Sequence, residues 1–106
     1  MAVRWHLSIH PDVWIDIDKA LSYYAEIDRD LVRRWRKEFN DGVKLAQHYP
    51  YIGPEGVAES RRLKLPSFPY MVYYLAETGV IEVVAVIHVK QDPARTTKMI
   101  TDRSRA

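Results

Sequence analysis

Five basic side chains bracket the most apolar stretch of the chain, "RRLKLPSFPYMVYYLAETGVIEVVAVIHVKQDP": Arg61, Arg62 and Lys64 enter it, and His88 and Lys90 leave it. Guanidinium and ammonium groups neutralise phosphate oxygens. An imidazole, with an ordinary pKa near ~6.5, carries protons at neutral pH. Arg62, Lys64, His88 and Lys90, with tyrosines such as Tyr70 or Tyr74, could grip a phosphate backbone and stack a base. The bland alternative is that each cation keeps an exposed sheet face in solution, and that His88 is a structural residue hydrogen-bonded at a sheet edge. His6, His10 and His48 lack metal-ligand spacing, and the chain has no cysteine, which removes disulfides, thiolate metal sites and cysteine nucleophiles. There is no glycine-rich phosphate loop, serine triad motif or zinc signature. No metal and no cofactor is expected.

The elements that must position these groups are legible in the hydrophobic period. "VRWHLSIHP" alternates, with Val3, Trp5, Leu7 and Ile9 on one side and Arg4, His6, Ser8 and His10 on the other, which predicts a half-buried strand. From Asp12 the period becomes helical. Val13, Ile17, Ala20, Leu21, Tyr24 and Ile27 share one face, then Val32, Trp35, Phe39, Val43 and Ala46 share another. Asp28 or Asp30 can cap the second helix. The two make an antiparallel hairpin over roughly residues 12–48, and "HYPYIGPEG" ends it as a loop. Three strands follow: "RRLKL", the aromatic "YMVYYLA" and the apolar "VIEVVAVIHV", the last expected at the sheet centre. Glu77-Thr78-Gly79 is the turn between the last two. "KQDPARTTKMITDRSRA" is a polar tail assigned to no element.

The order is strand, helix, helix, strand, strand, strand. It predicts an α+β fold of two layers: an N-terminal strand and a helical hairpin, then a three-stranded antiparallel segment completing one mostly antiparallel sheet. The prediction is a single domain over residues 1–106. Two layers leave one sheet face bare. Alternation sends Trp5, Leu7, Ile9, Leu63 and Leu65 toward the helices, and Arg4, His6, Arg62 and Lys64 to the open face. For the last strand, Ile81, Val83, Ala85 and Ile87 are assigned inward and Glu82, Val84, Val86 and His88 outward, although the run is apolar on both sides.

Bulk composition fits this outline. The 106 residues are 47% hydrophobic and 28% charged, enough for one core with an ordinary soluble surface. Net charge is +2, unevenly spread. Residues 1–60 hold 8 Lys+Arg against 10 Asp+Glu, and residues 61–106 hold 8 against 4. A basic second half points to an anionic partner. No apolar run reaches the ~18 residues of a membrane helix, and "MAVRWHLSIHPDVW" has no signal core. A cytoplasmic protein without membrane contact is expected.

"IHPDVWIDIDKALSYYAE", "RRLKLPSFPYMVYYL" and "IEVVAVIHVKQDP" together resemble the RelE/ParE superfamily of bacterial toxins from type II toxin–antitoxin systems. The likeness spans nearly the whole chain, in order, and is nearest the ParE-like branch often labelled plasmid stabilisation proteins. No single motif is diagnostic. The resemblance implies the α+β fold above and a cognate antitoxin that wraps the toxin in a hetero-oligomer. It implies one of two activities. The first is mRNA cleavage on the ribosome, a metal-independent endoribonuclease (mRNA interferase) reaction in which the 2′-hydroxyl attacks the adjacent phosphate. Its catalytic positions would be Arg62, Lys64 and His88, with Arg61, Lys90 and Arg95 holding nucleic acid. The second is inhibition of DNA gyrase by binding alone, and the long hairpin is more like that branch. A third reading is an inactive relative that binds only the antitoxin. The stretch Lys90-Gln91-Asp92-Pro93 lacks the second base many relatives carry, and "ARTTKMITDRSRA" lacks a late aromatic.

Overall fold

The computed structural model describes residues 3–104. The elements run β1 (His6–Ile9), α1 (Val13–Ala25), α2 (Arg29–His48), a single 3-10 turn at Val57–Glu59, β2 (Arg61–Lys64), β3 (Tyr70–Glu77), β4 (Val80–His88) and α3 (Pro93–Ser104). The strands form one sheet in the order β1-β4-β3-β2. β1 lies parallel to β4, and the other two pairings are antiparallel. The expected α+β arrangement stands, with the most apolar strand inside the sheet.

The hairpin forms for the reasons its spacing predicts. Val13, Ile17, Ala20 and Leu21 are the buried stripe of α1, and Trp35, Phe39, Val43 and Ala46 that of α2. Between them Asp28 is extended at φ −165°, and its carboxylate accepts the Asp30 N–H at 2.9 Å, capping α2. Ile27, assigned to the buried stripe, lies past the end of α1 and is exposed. Trp35 is fully buried, stacked on Phe39 at 5.7 Å and edge-on to Tyr70 at 5.9 Å. Leu7, Ile9, Leu65, Val72 and Val83 complete this core from the sheet.

β3 and β4 are joined by a two-residue turn, since Glu77 pairs with Val80. Thr78 and Gly79 have φ of 44° and 81°, the double positive φ that a tight hairpin of this hand requires. Farther along, the register slips. Tyr73 faces Ala85 and Tyr74 faces Val83, leaving Val84 as a bulged extra residue. The bulge reverses parity. Ile81 and Val83 face the hairpin as assigned, but so do Val86 and His88; Val84, Ala85 and Ile87 pack on the other face, against Ile100. The inward assignment of Ala85 and Ile87, and the outward one of Val86 and His88, is therefore corrected. An apolar strand carries no period that reveals a bulge.

The second correction concerns the tail. Residues 93–104 form α3, begun by Pro93 and by Asp92, whose carboxylate accepts the Ala94 N–H at 3.1 Å. Ile100 packs on Val84, Ala85 and Ile87, so α3 covers the middle of the face expected to be bare. What stays open near β1 is a depression lined by Ser8, Leu75, Glu77, Thr78, Val80 and Glu82. Its charged residues are acidic, against the basic open face expected.

Beyond Ile9, β4 has no neighbour on its β1 side. Asp16 and Arg103 fill that gap. The Asp16 carboxylate accepts the Val86 N–H at 3.0 Å and two Arg103 N–H bonds at 2.7 and 3.1 Å, and Arg103 also donates to the Val84 carbonyl at 3.0 Å. The bulge's backbone groups are thus satisfied by an ion pair joining α1 to α3 around the end of β1.

Candidate functional site

Arg62 lies in the register row Arg62–Tyr73–Ala85, on the face α3 covers. It lines a groove of about 330 Å³ between the sheet and the start of α3, with Tyr73, His88, Gln91 and Thr96 on its walls. Met71 and Ile87 add apolar surface. Among the described residues, the half-buried Arg62 guanidinium makes no hydrogen bond or ion pair. It lies against Gly56, where an added Cβ would be 3.1 Å from its Nη1. A positive group on a partly apolar wall can hold an anion that also offers a flat apolar surface.

His88 reaches the groove only from its edge. Its ring meets the Tyr70 ring edge-on at 5.2 Å on the hairpin side, and its Nδ1 accepts the Lys90 N–H at 3.1 Å. That bond fixes the ring at the strand end and leaves Nε2 as the nitrogen able to exchange a proton. Tyr70, beside it, has its pKa raised by burial first and by Tyr24 and Tyr23 second. A phenol held neutral in this way is a hydrogen-bond donor and no base.

The remaining positions separate. Lys64 shares a row with Met71 and Ile87, but its Nζ donates to the Leu65 carbonyl at 2.9 Å and the Phe68 carbonyl at 3.2 Å. It closes the loop before β3 and does not line the groove. Arg61 points to the other face. Its Nη1 donates to the Tyr51 and Gly53 carbonyls at 3.1 and 2.9 Å, and its guanidinium sits 5.1 Å from the centre of the Tyr51 ring. Gly53 donates its N–H to the Tyr74 hydroxyl at 3.1 Å, and a Cβ there would fall 2.6 Å from the Arg62 carbonyl. Arg61 therefore fastens the loop after α2. Lys90 and Arg95 are exposed on the turn and first part of α3.

Arg62 and His88 thus border one groove, while Lys64, Arg61, Lys90 and Arg95 lie outside its walls. The sequence reading omits Gln91 and Thr96, because it assigns the tail no structure. The signal for them is present: Asp92-Pro93 is a helix start, and Thr96, Met99, Ile100 and Arg103 fall on one face. No group of three or more His, Asp or Glu among the described residues could hold a metal ion, and no described helix is long and apolar enough to cross a membrane.

On the opposite side, a second groove of about 250 Å³ runs between β1 and the hairpin. Leu7, Ile9, Ile17, Leu21 and Phe39 line it, the half-exposed Trp14 stands beside it, and Asp18 and Arg36 sit at its rim.

Comparison with known proteins adds the following. Residues 7–93 match the family described as "ParE toxin of type II toxin-antitoxin system, parDE". No curated protein matches the chain. Among solved structures, a chain of "Chromosomal ParDE TA system from P. aeruginosa" superposes with a TM-score of 0.69 at 17% identity, over 80% of this chain and 96% of that one. At that identity the likeness is one of fold. The family match ends at Pro93, where α3 begins.

Proposed function

The chain belongs to the ParE toxin family of type II toxin–antitoxin systems, and from that premise we propose that it arrests growth by binding DNA gyrase, without chemical turnover, under the control of a cognate cytoplasmic antitoxin. One observation carries the choice of a binding mechanism. Arg62, Lys64 and His88 do not form a set: the Lys64 ammonium is spent on two loop carbonyls, and the His88 ring leans away onto Tyr70. Cleavage of RNA needs phosphate-neutralising and proton-moving groups held together around one phosphate. Inhibition by binding needs only a rigid surface, which the 13-residue and 20-residue helices of the hairpin supply. The groove between β1 and the hairpin fits the apolar side of an amphipathic antitoxin segment.

A second reading keeps one observation in its favour: Arg62 and His88 border the same groove. In that reading Arg62 stabilises the crowded phosphate in the transition state, His88 Nε2 carries a proton, and mRNA is the target.

Induced expression with separate readouts of DNA supercoiling and mRNA integrity tests the proposal. Loss of supercoiling with intact mRNA, and undiminished toxicity in Arg62→Ala and His88→Ala, is the expected result. Degraded mRNA, with toxicity relieved by both folded variants, overturns it in favour of cleavage. No effect on either readout leaves a relative that binds only its antitoxin.

A further inference from the structure

We propose that α3 is a latched strap that gates the Arg62 groove and the sheet face beneath it, with the Asp16–Arg103 ion pair as its latch. Four features of the molecule carry this. First, α3 is sparsely anchored: only Thr96 and Ile100 are buried among its twelve residues. Second, its far end is held by polar contacts, because Arg103 binds both Asp16 oxygens and the Val84 carbonyl. The Arg103 and Asp16 side chains are only 12% and 8% exposed, and Asp12 stands 3.9 Å away as a weaker second carboxylate. Third, the near end leaves β4 through an exposed turn at Val89 and Lys90. Gln91 there bonds forward to Thr96 and Met99 of the strap itself, so the strap can move as one piece. Fourth, all of the strap after Pro93 lies outside the stretch that the family match covers.

The latch acts across the sheet. Asp16 belongs to α1 on one face and Arg103 to α3 on the other, and they meet only where β1 stops short. With the latch closed, Gln91 and Thr96 wall the groove and Ile100 seals Val84, Ala85 and Ile87. With it open, only the small cluster around Ile100 and Met99, on β4 and the 3-10 turn, still holds the helix, and when that cluster lifts the groove loses its outer wall. Elements anchored this lightly open ahead of the rest of a fold.

The chain has no cysteine, so a single introduced thiol reports access directly. Ala85 is fully buried under Ile100, and Val43 is buried on the core-facing side of α2. In the full-length protein, Ala85→Cys should label slowly with a thiol reagent. Adding Arg103→Gln should speed that labelling on the order of 100-fold, the scale expected when a buried ion pair loses one partner. Labelling of Val43→Cys should be unaffected by Arg103→Gln. Native-state hydrogen exchange on Arg103→Gln and Asp16→Asn, without any cysteine, gives the same answer independently: α3 amides lose protection and β3 amides keep theirs. Equal acceleration at positions 85 and 43, or no acceleration at either, overturns the strap, because the ion pair would then be ordinary scaffold. Neither readout depends on the cellular target, so failure here is distinct from failure of the gyrase assignment.

Discussion

On one face of the sheet, Trp35, Phe39, Val13 and Ile17 close a continuous apolar core under two long helices; on the other, α3 contributes a small cluster around Ile100 and Met99, packed on β4 and the 3-10 turn, and an ion pair at its far end. Apolar burial is non-directional and sums over area, so the hairpin face is held by many contacts, none decisive alone. A buried ion pair is directional, and removing either partner strands a charge in a poorly solvated site. The hairpin face therefore provides the fold, and the α3 face provides a surface whose closure depends on two side chains.

Three measurements sharpen or break this contrast. Trp35→Ala should cost about 3–5 kcal/mol, since it empties the largest fully buried side chain from the hairpin core. Urea denaturation of a 106-residue domain would register that as near loss of the native state. Ile100→Ala should cost about 2–3 kcal/mol, the lower part of the range for such a deletion, because α3 can shift to fill the space. Equal costs for the two variants would dissolve the distinction between the faces. The smallest effect concerns Tyr74, almost fully buried, whose pKa is raised by burial even though the Gly53 N–H bond and Arg61 pull it down. A raised value means the folded state favours the neutral phenol. The stability contribution is present below the ordinary tyrosine pKa of about 10 and is lost as pH climbs through the folded value. Tyr74→Phe should cost about 1 kcal/mol at neutral pH for its lost hydrogen bond. It should also shrink the alkaline loss of stability in a melting series above about pH 10. Tyr24 and Tyr70, raised by burial in the same way, account for part of what remains.

Most of the hairpin face is legible in the sequence, because its stripe recurs at helical spacing and Asp28 stands where a cap belongs. The alternation of "RRLKL" places Leu63 toward the helices and Arg62 away from them. The other face is legible only in part. Alternation fixes where Lys64 leaves the strand, but its four-carbon stem lets the ammonium reach carbonyls that a one-dimensional pattern does not contain. The apolar part of the α3 face is just Met99 and Ile100, adjacent in a polar segment, so its helical spacing shows only once Thr96 and Arg103 are counted with them. Asp16 and Arg103 are 87 residues apart, and a long-range ion pair leaves no trace in local spacing. The parity of β4 is hidden because both of its faces are apolar.

That hidden parity bears on comparing this chain with relatives by alignment. Val84 is the one residue by which β4 outruns its partner strand. Paired without a bulge, the same letters would alternate strictly from Val83 and His88 would stand on the side where Arg62 stands, whereas simple loss of Val84 would leave the counterpart of His88 opposite Tyr70 on the hairpin side. Presence or absence of the bulge at constant strand length therefore exchanges what the two sides of the molecule display, and equivalence of a histidine between two such chains has to be established by counting ladder rungs before any shared chemistry is inferred.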